Sequence, residues 1–227
     1  MQFRHEVKHE ISHLDMLILR QRLNAVMIPD SHSQKGEYQV RSLYFDNPDD
    51  KALREKLEGV SIREKYRIRL YNNDPSFIHL ERKFKHGGLG CKDSTVLTPK
   101  QAQSIADGNI RWMAASTDKV ILGFYSRIRN EGLAAKVIVD YTRTPFVFGP
   151  GNVRVTLDYD IRTGLGCTDF LNPHCTTVPV PASPCILEVK WDAFLPGHIK
   201  RHLQLESLQW SSFSKYYLCR KYNMYGG

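Results

Sequence analysis

Alternation of charged and apolar side chains is the dominant pattern along the chain, and it is clearest from Arg63 to Leu70. Successive side chains on a strand point to opposite faces, so Arg63, Lys65, Arg67 and Arg69 share one side and Glu64, Tyr66, Ile68 and Leu70 the other. The same period predicts a strand over 2–11, with Arg4, Glu6, Lys8 and Glu10 opposite Phe3, Val7 and Ile11, and with His5 and His9 on the apolar side. Another strand covers 38–46 and ends in the turn Asn47-Pro48-Asp49. The cationic strand, 61–71, forms a hairpin through Asn72-Asn73-Asp74-Pro75 with 77–85, where His79, Glu81, Lys83 and Lys85 face away from Ile78, Leu80 and Phe84. Residues 91–97 make a short strand carrying Lys92. A second hairpin pairs 135–147 with 153–161 across Gly149-Pro150-Gly151-Asn152. Its first strand sets Val137, Val139, Tyr141 and Arg143 against Ile138, Asp140, Thr142 and Thr144. Its second sets Arg154, Thr156, Asp158 and Asp160 against Val153, Val155, Leu157, Tyr159 and Ile161. In 185–191, Glu188 and Lys190 oppose Leu187, Val189 and Trp191.

Helical spacing fills the intervals. Ser12 and Asp15 form a capping box for a helix to about residue 26, with Leu14, Leu17, Ile18 and Leu23 as its apolar stripe. Short helices are predicted over 52–57 and 99–107, the latter opened by Thr98-Pro99 and stopped by Gly108. Residues 118–130 follow as a longer helix, with Val120, Ile121, Phe124 and Ile128 inward and Gly132 as its end. Two more cover 196–205 and 212–222. The Gly87-Gly88-Leu89-Gly90 run reads as a flexible loop; it lacks the Lys-Ser/Thr ending of a P-loop and carries no nucleotide-binding weight. Residues 162–184, rich in Thr, Pro and Gly, read as a long surface excursion. No repeat or linker divides the chain, so a single domain over 1–227 is expected.

Stacking the apolar strand faces against helices leaves every charged face looking the other way. Solvated strand faces favour Thr, Ser, Gln and Lys. Here arginine dominates, interspersed with the single glutamates Glu6, Glu81 and Glu188. Arginine's planar fork suits phosphate oxygens, and a carboxylate among cations suits a divalent metal that also touches phosphate. If the sheet closes into a barrel, these faces become a basic tunnel with one or two acidic metal ligands, as a triphosphate or polyphosphate requires. A net charge of +8 agrees with a polyanionic partner. Cations alternating with carboxylates, without an RNA-binding motif, argue against nucleic acid. The five cysteines show no C-x-x-C pair and read as idle thiols, with neither a disulfide framework nor a zinc site. The absence of a long apolar run or a signal-peptide core leads to the expectation of a cytoplasmic protein.

Eight short motifs occur in an order that resembles the VTC (vacuolar transporter chaperone) polyphosphate polymerase domain of the triphosphate tunnel metalloenzymes. They are Arg4-x-Glu6-x-Lys8, Ser42-Leu43-Tyr44-Phe45-Asp46, Lys65-Tyr66-Arg67-Ile68-Arg69, Leu80-Glu81-Arg82-Lys83, Tyr141-x-Arg143-x-x-Phe146, Val153-Arg154-x-x-Leu157-Asp158, Leu187-Glu188-Val189-Lys190 and Ser214-Lys215. The resemblance implies an α+β fold built on an eight-stranded antiparallel barrel with packed helices and a C-terminal helix. It implies transfer of the terminal phosphate of ATP to a growing polyphosphate chain, with release of ADP. Lys8, Arg67, Arg69, Lys83, Arg143, Arg154 and Lys215 would bind phosphates, with Lys92 and Lys190 as further contacts. Tyr141 would hydrogen-bond a phosphate near the transfer point, and Glu188 would hold Mn²⁺ or Mg²⁺. ATP and inorganic polyphosphate are the implied partners, with a membrane-protein recipient of the polymer left open. A tripolyphosphate or nucleoside-triphosphate hydrolase and a non-catalytic polyphosphate-binding module are the alternatives on this scaffold. Arg4 stands where hydrolases and cyclases of the wider superfamily have the first glutamate of Glu-x-Glu-x-Lys, and Ser211 and Ser212 stand where some polymerase relatives have a lysine.

Overall fold

The structure, a computed structural model, describes residues 4–31, 33, 36–87, 89–204, 208 and 211–225. In chain order its elements are β1 (His5–Ile11), α1 (His13–Val26), β2 (Ile28–Pro29), β3 (Tyr38–Asp46), α2 (Lys51–Leu57), β4 (Arg63–Tyr71), β5 (Asp74–His86), β6 (Leu89–Leu97), α3 (Pro99–Ala106), α4 (Lys119–Glu131), β7 (Ala134–Phe148), β8 (Val153–Thr163), β9 (Val178–Pro179), β10 (Cys185–Trp191), α5 (Gly197–Leu203) and α6 (Lys215–Tyr225). Eight strands form one antiparallel sheet in the order β1-β10-β8-β7-β3-β4-β5-β6, with β2 added to β7 and β9 to β8. The sheet curls until its edges meet. Arg4, beside β1, and Gly90 of β6 exchange backbone hydrogen bonds of 3.1 and 3.3 Å. This is the α+β antiparallel barrel that the motifs imply.

Local chemistry explains the elements. Asn72 and Asn73 both adopt positive φ (51° and 54°), as a two-residue hairpin turn requires, and Tyr71 pairs with Asp74 across it. Ser12 and Asp15 cap α1 reciprocally, Thr98 and Gln101 do the same for α3, and Asp118 accepts from the Val120 and Ile121 amides at the start of α4. Gly132 ends α4 at φ 71°.

Two apolar cores lie on the outer face of the curl. Leu43, Phe45, Tyr66, Ile68, Leu70, Ile78 and Leu80 pack under α3 and α4, where Phe124 stacks on Tyr66 at 4.7 Å between ring centres. Val153, Val155, Leu157, Leu187 and Val189 pack under α1 and α5. At roughly 2 kcal/mol for each fully buried aliphatic side chain, these faces supply the drive to keep the charged faces inward. A third cluster is on the inner face: Val137, Val139, Ile161 and Ile186 meet Tyr216 and Cys219 of α6.

Several elements depart from the sequence reading. On α1 the buried stripe is Met16, Leu19 and Leu23, whereas Leu14 and Leu17 are 66% and 48% exposed and Ile18 is also exposed. Ile161 does not share the outer face with Val153 and Val155. The β7–β8 register shifts between Asp140 and Thr142, and Asp160 at φ 50° turns the strand so that Ile161 enters the inner cluster. β5 reaches His86 and β6 begins at Leu89, so Leu89 and Gly90 of the predicted loop belong to a strand. The excursion after Arg162 is anchored to the body: Phe170 and Cys175 enter the core beneath α4, Val180 enters the inner cluster, and β9 pairs with β8. The C-terminal helix starts at Lys215, three residues later than its spacing predicts. Gln2, Phe3, Gly88 and Leu205, which fall within predicted segments, lie outside the described residues. No helix among the described residues is long and apolar enough to cross a membrane.

Candidate active site in the curled sheet

The inner faces of β1, β3, β4, β5, β7 and β10, closed on one side by α6 and by the connection after α2, surround a cavity of about 470 Å³. Eleven lysines and arginines line it, namely Lys8, Lys56, Arg63, Lys65, Arg67, Arg69, Lys83, Lys85, Arg143, Lys190 and Lys215, against two carboxylates, Glu6 and Glu188. Even counting Glu81 and Asp158, which sit behind the lining arginines, the basic side chains outnumber the carboxylates by seven. A cavity of this size, within the roughly 300–1,000 Å³ of small-ligand sites, can hold such a surplus against an anion.

Buried carboxylates fix the side chains. Arg67 donates to Glu81 Oε2 (2.7 Å) and to the Tyr44 hydroxyl (2.7 Å). Arg69 donates to Ser42 Oγ and to the Tyr141 hydroxyl, both at 3.1 Å. Arg143 holds Asp158 with two parallel bonds of 2.7 and 2.8 Å, and Lys215 donates to the same carboxylate at 2.6 Å. Ser214 accepts from the Tyr217 amide at 3.3 Å, so the serine caps α6 while the next residue, Lys215, reaches the cavity. Tyr216 adds a 2.6 Å bond to Asp46, which also accepts the Ala52 and Leu53 amides of α2. Thus α6 is tied to both β3 and β8.

Lys8 is the hub of the acidic side. Its ammonium lies 3.1 Å from Glu6 and 3.2 Å from Glu188; Lys190 contacts Glu188, and Lys83 lies 3.2 Å from Glu6. Burial disfavours ionising Glu6 and Glu188, but the surrounding lysines outweigh it and hold both carboxyls well below the usual range. For Glu81 burial is likewise overcome, by Arg67 and Arg69, and for Asp158 by Arg143 and Lys215, which hold its pKa at about 2. Lys8, placed between two carboxylates, is raised despite its burial. Lys83, Lys85, Lys215 and Lys65 behave in the opposite way. Burial lowers Lys83 well below its ordinary value because Glu6 is already divided among Lys8, Lys85 and Lys190; Lys85 and Lys215 are lowered too. Lys65, buried and beside Arg63, falls to about 7. These are ammonium groups short of anions.

Of the sequence-predicted site residues, Lys8, Arg67, Arg69, Lys83, Tyr141, Arg143, Glu188, Lys190 and Lys215 converge on this cavity. Arg154 and Lys92 are not among its lining residues. Arg154 pairs with Asp30 at 2.9 Å and donates to the Tyr38 hydroxyl at 3.1 Å; Lys92, 52% exposed, donates to Glu81 Oε1 at 3.0 Å. Arg4 pairs with Asp192 at 2.7 Å, also away from the lining. Lys56, Arg63, Lys65, Lys85 and Glu6 line the cavity beyond the site residues that the motifs imply, although Arg63, Lys65 and Lys85 share strand faces with Arg67, Arg69 and Lys83.

Glu6 and Glu188 are the carboxylates that could take a divalent cation. They project from neighbouring strands, where Lys8 pairs with Glu188, and the buried Thr156 hydroxyl opposite Glu188 has no hydrogen-bond partner. Among the described residues no group of three or more His, Cys, Asp or Glu side chains could hold a metal alone. The donor set fits Mg²⁺ or Mn²⁺ bound through one or two carboxylates, with substrate phosphates completing the coordination.

The VTC domain family model matches residues 3–223. A comparison with curated proteins gives no match. Among solved structures, a Hippeastrum adenylyl cyclase candidate that reveals a dominant triphosphatase activity aligns with a TM-score of 0.56 at 15% identity, covering 96% of this chain and 95% of that one. The PH1819 protein of Pyrococcus horikoshii aligns with a TM-score of 0.51 at 10% identity, covering 96% and 98%. An adenylate cyclase candidate from Bacillus halodurans gives 0.51 at 14% identity, covering 90% and 88%. At these identities the structures share the fold with this chain. The match along nearly the whole sequence, in a chain whose curled antiparallel sheet encloses a cation-lined cavity, establishes that the chain belongs to the VTC domain family.

Proposed function

We propose that the protein is a metal-dependent polyphosphate polymerase that moves the γ-phosphate of ATP onto the end of an inorganic polyphosphate chain and releases ADP. The observation that carries this reading is the excess of seven basic side chains over carboxylates inside one cavity, with Arg67 and Arg143 held by buried carboxylates before any substrate arrives. Phosphoryl transfer needs little covalent help from protein; positioning and charge stabilisation do most of the work. Arg67, Arg69 and Arg143 are already locked in place, so little reorganisation accompanies substrate binding. Lys8, Lys83 and Lys215 add point charges around them, each held beside a carboxylate. Tyr141, bonded to Arg69, presents its hydroxyl beside the same guanidinium. Glu188 and Glu6 would hold Mn²⁺ or Mg²⁺, which when bound would neutralise charge on the transferring group.

Transfer is favoured over hydrolysis by the state of the lining carboxylates. Both are held ionised by lysines and are weak bases, poorly suited to activating water, whereas an acceptor phosphate is already ionised and needs no base. Arg4 in place of a glutamate removes a further acidic ligand.

The test is incubation with ATP and Mn²⁺, with products resolved on a gel stained for polyphosphate and nucleotides measured in parallel. A ladder of chains with stoichiometric ADP supports the polymerase. Orthophosphate without a ladder replaces it with a triphosphatase, the activity described for the Hippeastrum structure. Tight polyphosphate binding with neither product reduces the protein to a binding module.

A further inference from the structure

Outside the tunnel, two of the five thiols meet. Cys167 Sγ and Cys175 Sγ lie 2.8 Å apart, although seven residues separate them in the sequence and no motif marks the pair. They close a turn of the excursion between β8 and β9 that is held at several points. The Gly164 amide donates to the Ile138 carbonyl, the Cys167 amide to Gly164, the Cys175 amide to Asn172, and Arg41 Nη1 to the Asn172 carbonyl at 2.8 Å. Cys175 and Phe170 are buried in the core that backs β3 and β7, and Cys167 packs against its edge with its side chain partly exposed. Burial and the neighbouring Cys167 push the Cys175 thiol up to about 12.

We propose that Cys167 and Cys175 are a reversible dithiol–disulfide pair whose oxidised form locks the turn of the excursion that packs on the core behind β3 and β7. The oxidant is a small-molecule disulfide such as oxidised glutathione. The partly exposed Cys167 loses its proton and attacks one glutathione sulfur, the S–S bond of glutathione breaks, and one glutathione leaves as the thiol. Cys175 then gives up its proton and attacks the Cys167 sulfur of the mixed disulfide, and the second glutathione leaves as the thiol. Two hydrogens and two electrons pass to the glutathione, and each Cys sulfur ends bonded to the other. Closing so short a loop restricts the unfolded chain, and the oxidised protein is expected to melt roughly 5 °C higher.

The full chain, reduced and then treated with oxidised glutathione, is digested with an endoproteinase that cuts before Asp169, which separates the two cysteines. The expected result is a mass loss of two hydrogens, fragments joined until reductant is added, and the higher melting point. Cys185→Ser retains all three, and Cys167→Ser retains none. Retention of all five thiols, a link through Cys185, or a crosslink that leaves the melting point unchanged or lower overturns the proposal. In the unsubstituted chain, tandem mass spectrometry of the joined fragments 160–168 and 169–191 assigns the link to Cys175 or to Cys185, so the linkage is decided even if a serine variant folds poorly.

Discussion

Lys65→Met separates a cation kept for a ligand from one kept for the fold. Among the described residues the Lys65 ammonium has no carboxylate in ion-pair range; it lies 4.9 Å over the Tyr216 ring, and Arg63, Lys56 and Lys8 repel it. Burial first, and then Arg63, bring its pKa from 10.5 to about 7. At about 1.4 kcal/mol per decade, that gap costs at most roughly 4 kcal/mol of folding free energy at neutral pH, and solvent in the open cavity reduces it to about 2 kcal/mol. The folded chain binds this proton less tightly than the unfolded chain, so Lys65 costs most near and below pH 7. Its cost fades between about 7 and 10.5. Methionine fills the same space without the charge, and the free variant is expected to melt roughly 4–8 °C higher at pH 7. Tripolyphosphate affinity moves the other way. Loss of one charge-assisted hydrogen bond, about 1.5–3 kcal/mol, weakens binding roughly 10- to 100-fold in a calorimetric titration. Wild-type affinity also falls as pH rises above 7, with a shallower fall in the variant. A variant that melts lower, or that binds tripolyphosphate as tightly as the wild type, refutes the reasoning.

Other perturbations follow from the same charges. Glu188→Gln is expected to remove Mn²⁺-stimulated turnover by about 100-fold or more, on the scale of losing an electrostatic catalytic group, while circular dichroism stays native because Lys8 keeps Glu6. Asp158→Asn leaves Arg143 and Lys215 buried without their counter-charge, and urea unfolding should show a loss of about 3–5 kcal/mol. In acid, Glu6, Glu81, Glu188 and Asp158 all have folded pKa values below their unfolded ones, so their stabilisation is complete above roughly pH 5 and is lost as pH falls toward 2. A pH-dependent melting series checks that slope; a flat profile from 5 to 3 contradicts it.

The period of two on 63–70 and 77–85 was enough to place Arg67, Arg69 and Lys83 on one face, because a strand gives its side chains no third direction. Burial of the opposite face under α3 and α4 then fixed which side was inward. Where the pattern offered two faces, the sequence could not choose. On α1 both Leu14-Leu17-Ile18 and Met16-Leu19-Leu23 have helical spacing, and contact with the core under α1 and α5 selects the second. Ile161 was misplaced because one backbone change at Asp160 reverses the alternation, and aspartate is not an obvious marker for it. The carboxylates behind the arginines needed the fold. That Asp158 serves both Arg143 and Lys215 depends on where α6 docks, and Lys215 lies 57 positions after that aspartate. Arg154 shows the converse: it shares the strand face of Asp158, but its guanidinium is taken by Asp30.

The proposed function depends on one cavity holding a polyphosphate against its excess of basic side chains. Titrating the free protein calorimetrically with tripolyphosphate at pH 7, across a series of salt concentrations, tests this most directly. The account predicts one site per chain, with affinity falling steeply as salt rises and a Kd at least 10-fold weaker for Arg69→Ala. Absence of binding at low salt, or several equivalent weak sites insensitive to Arg69, would contradict it.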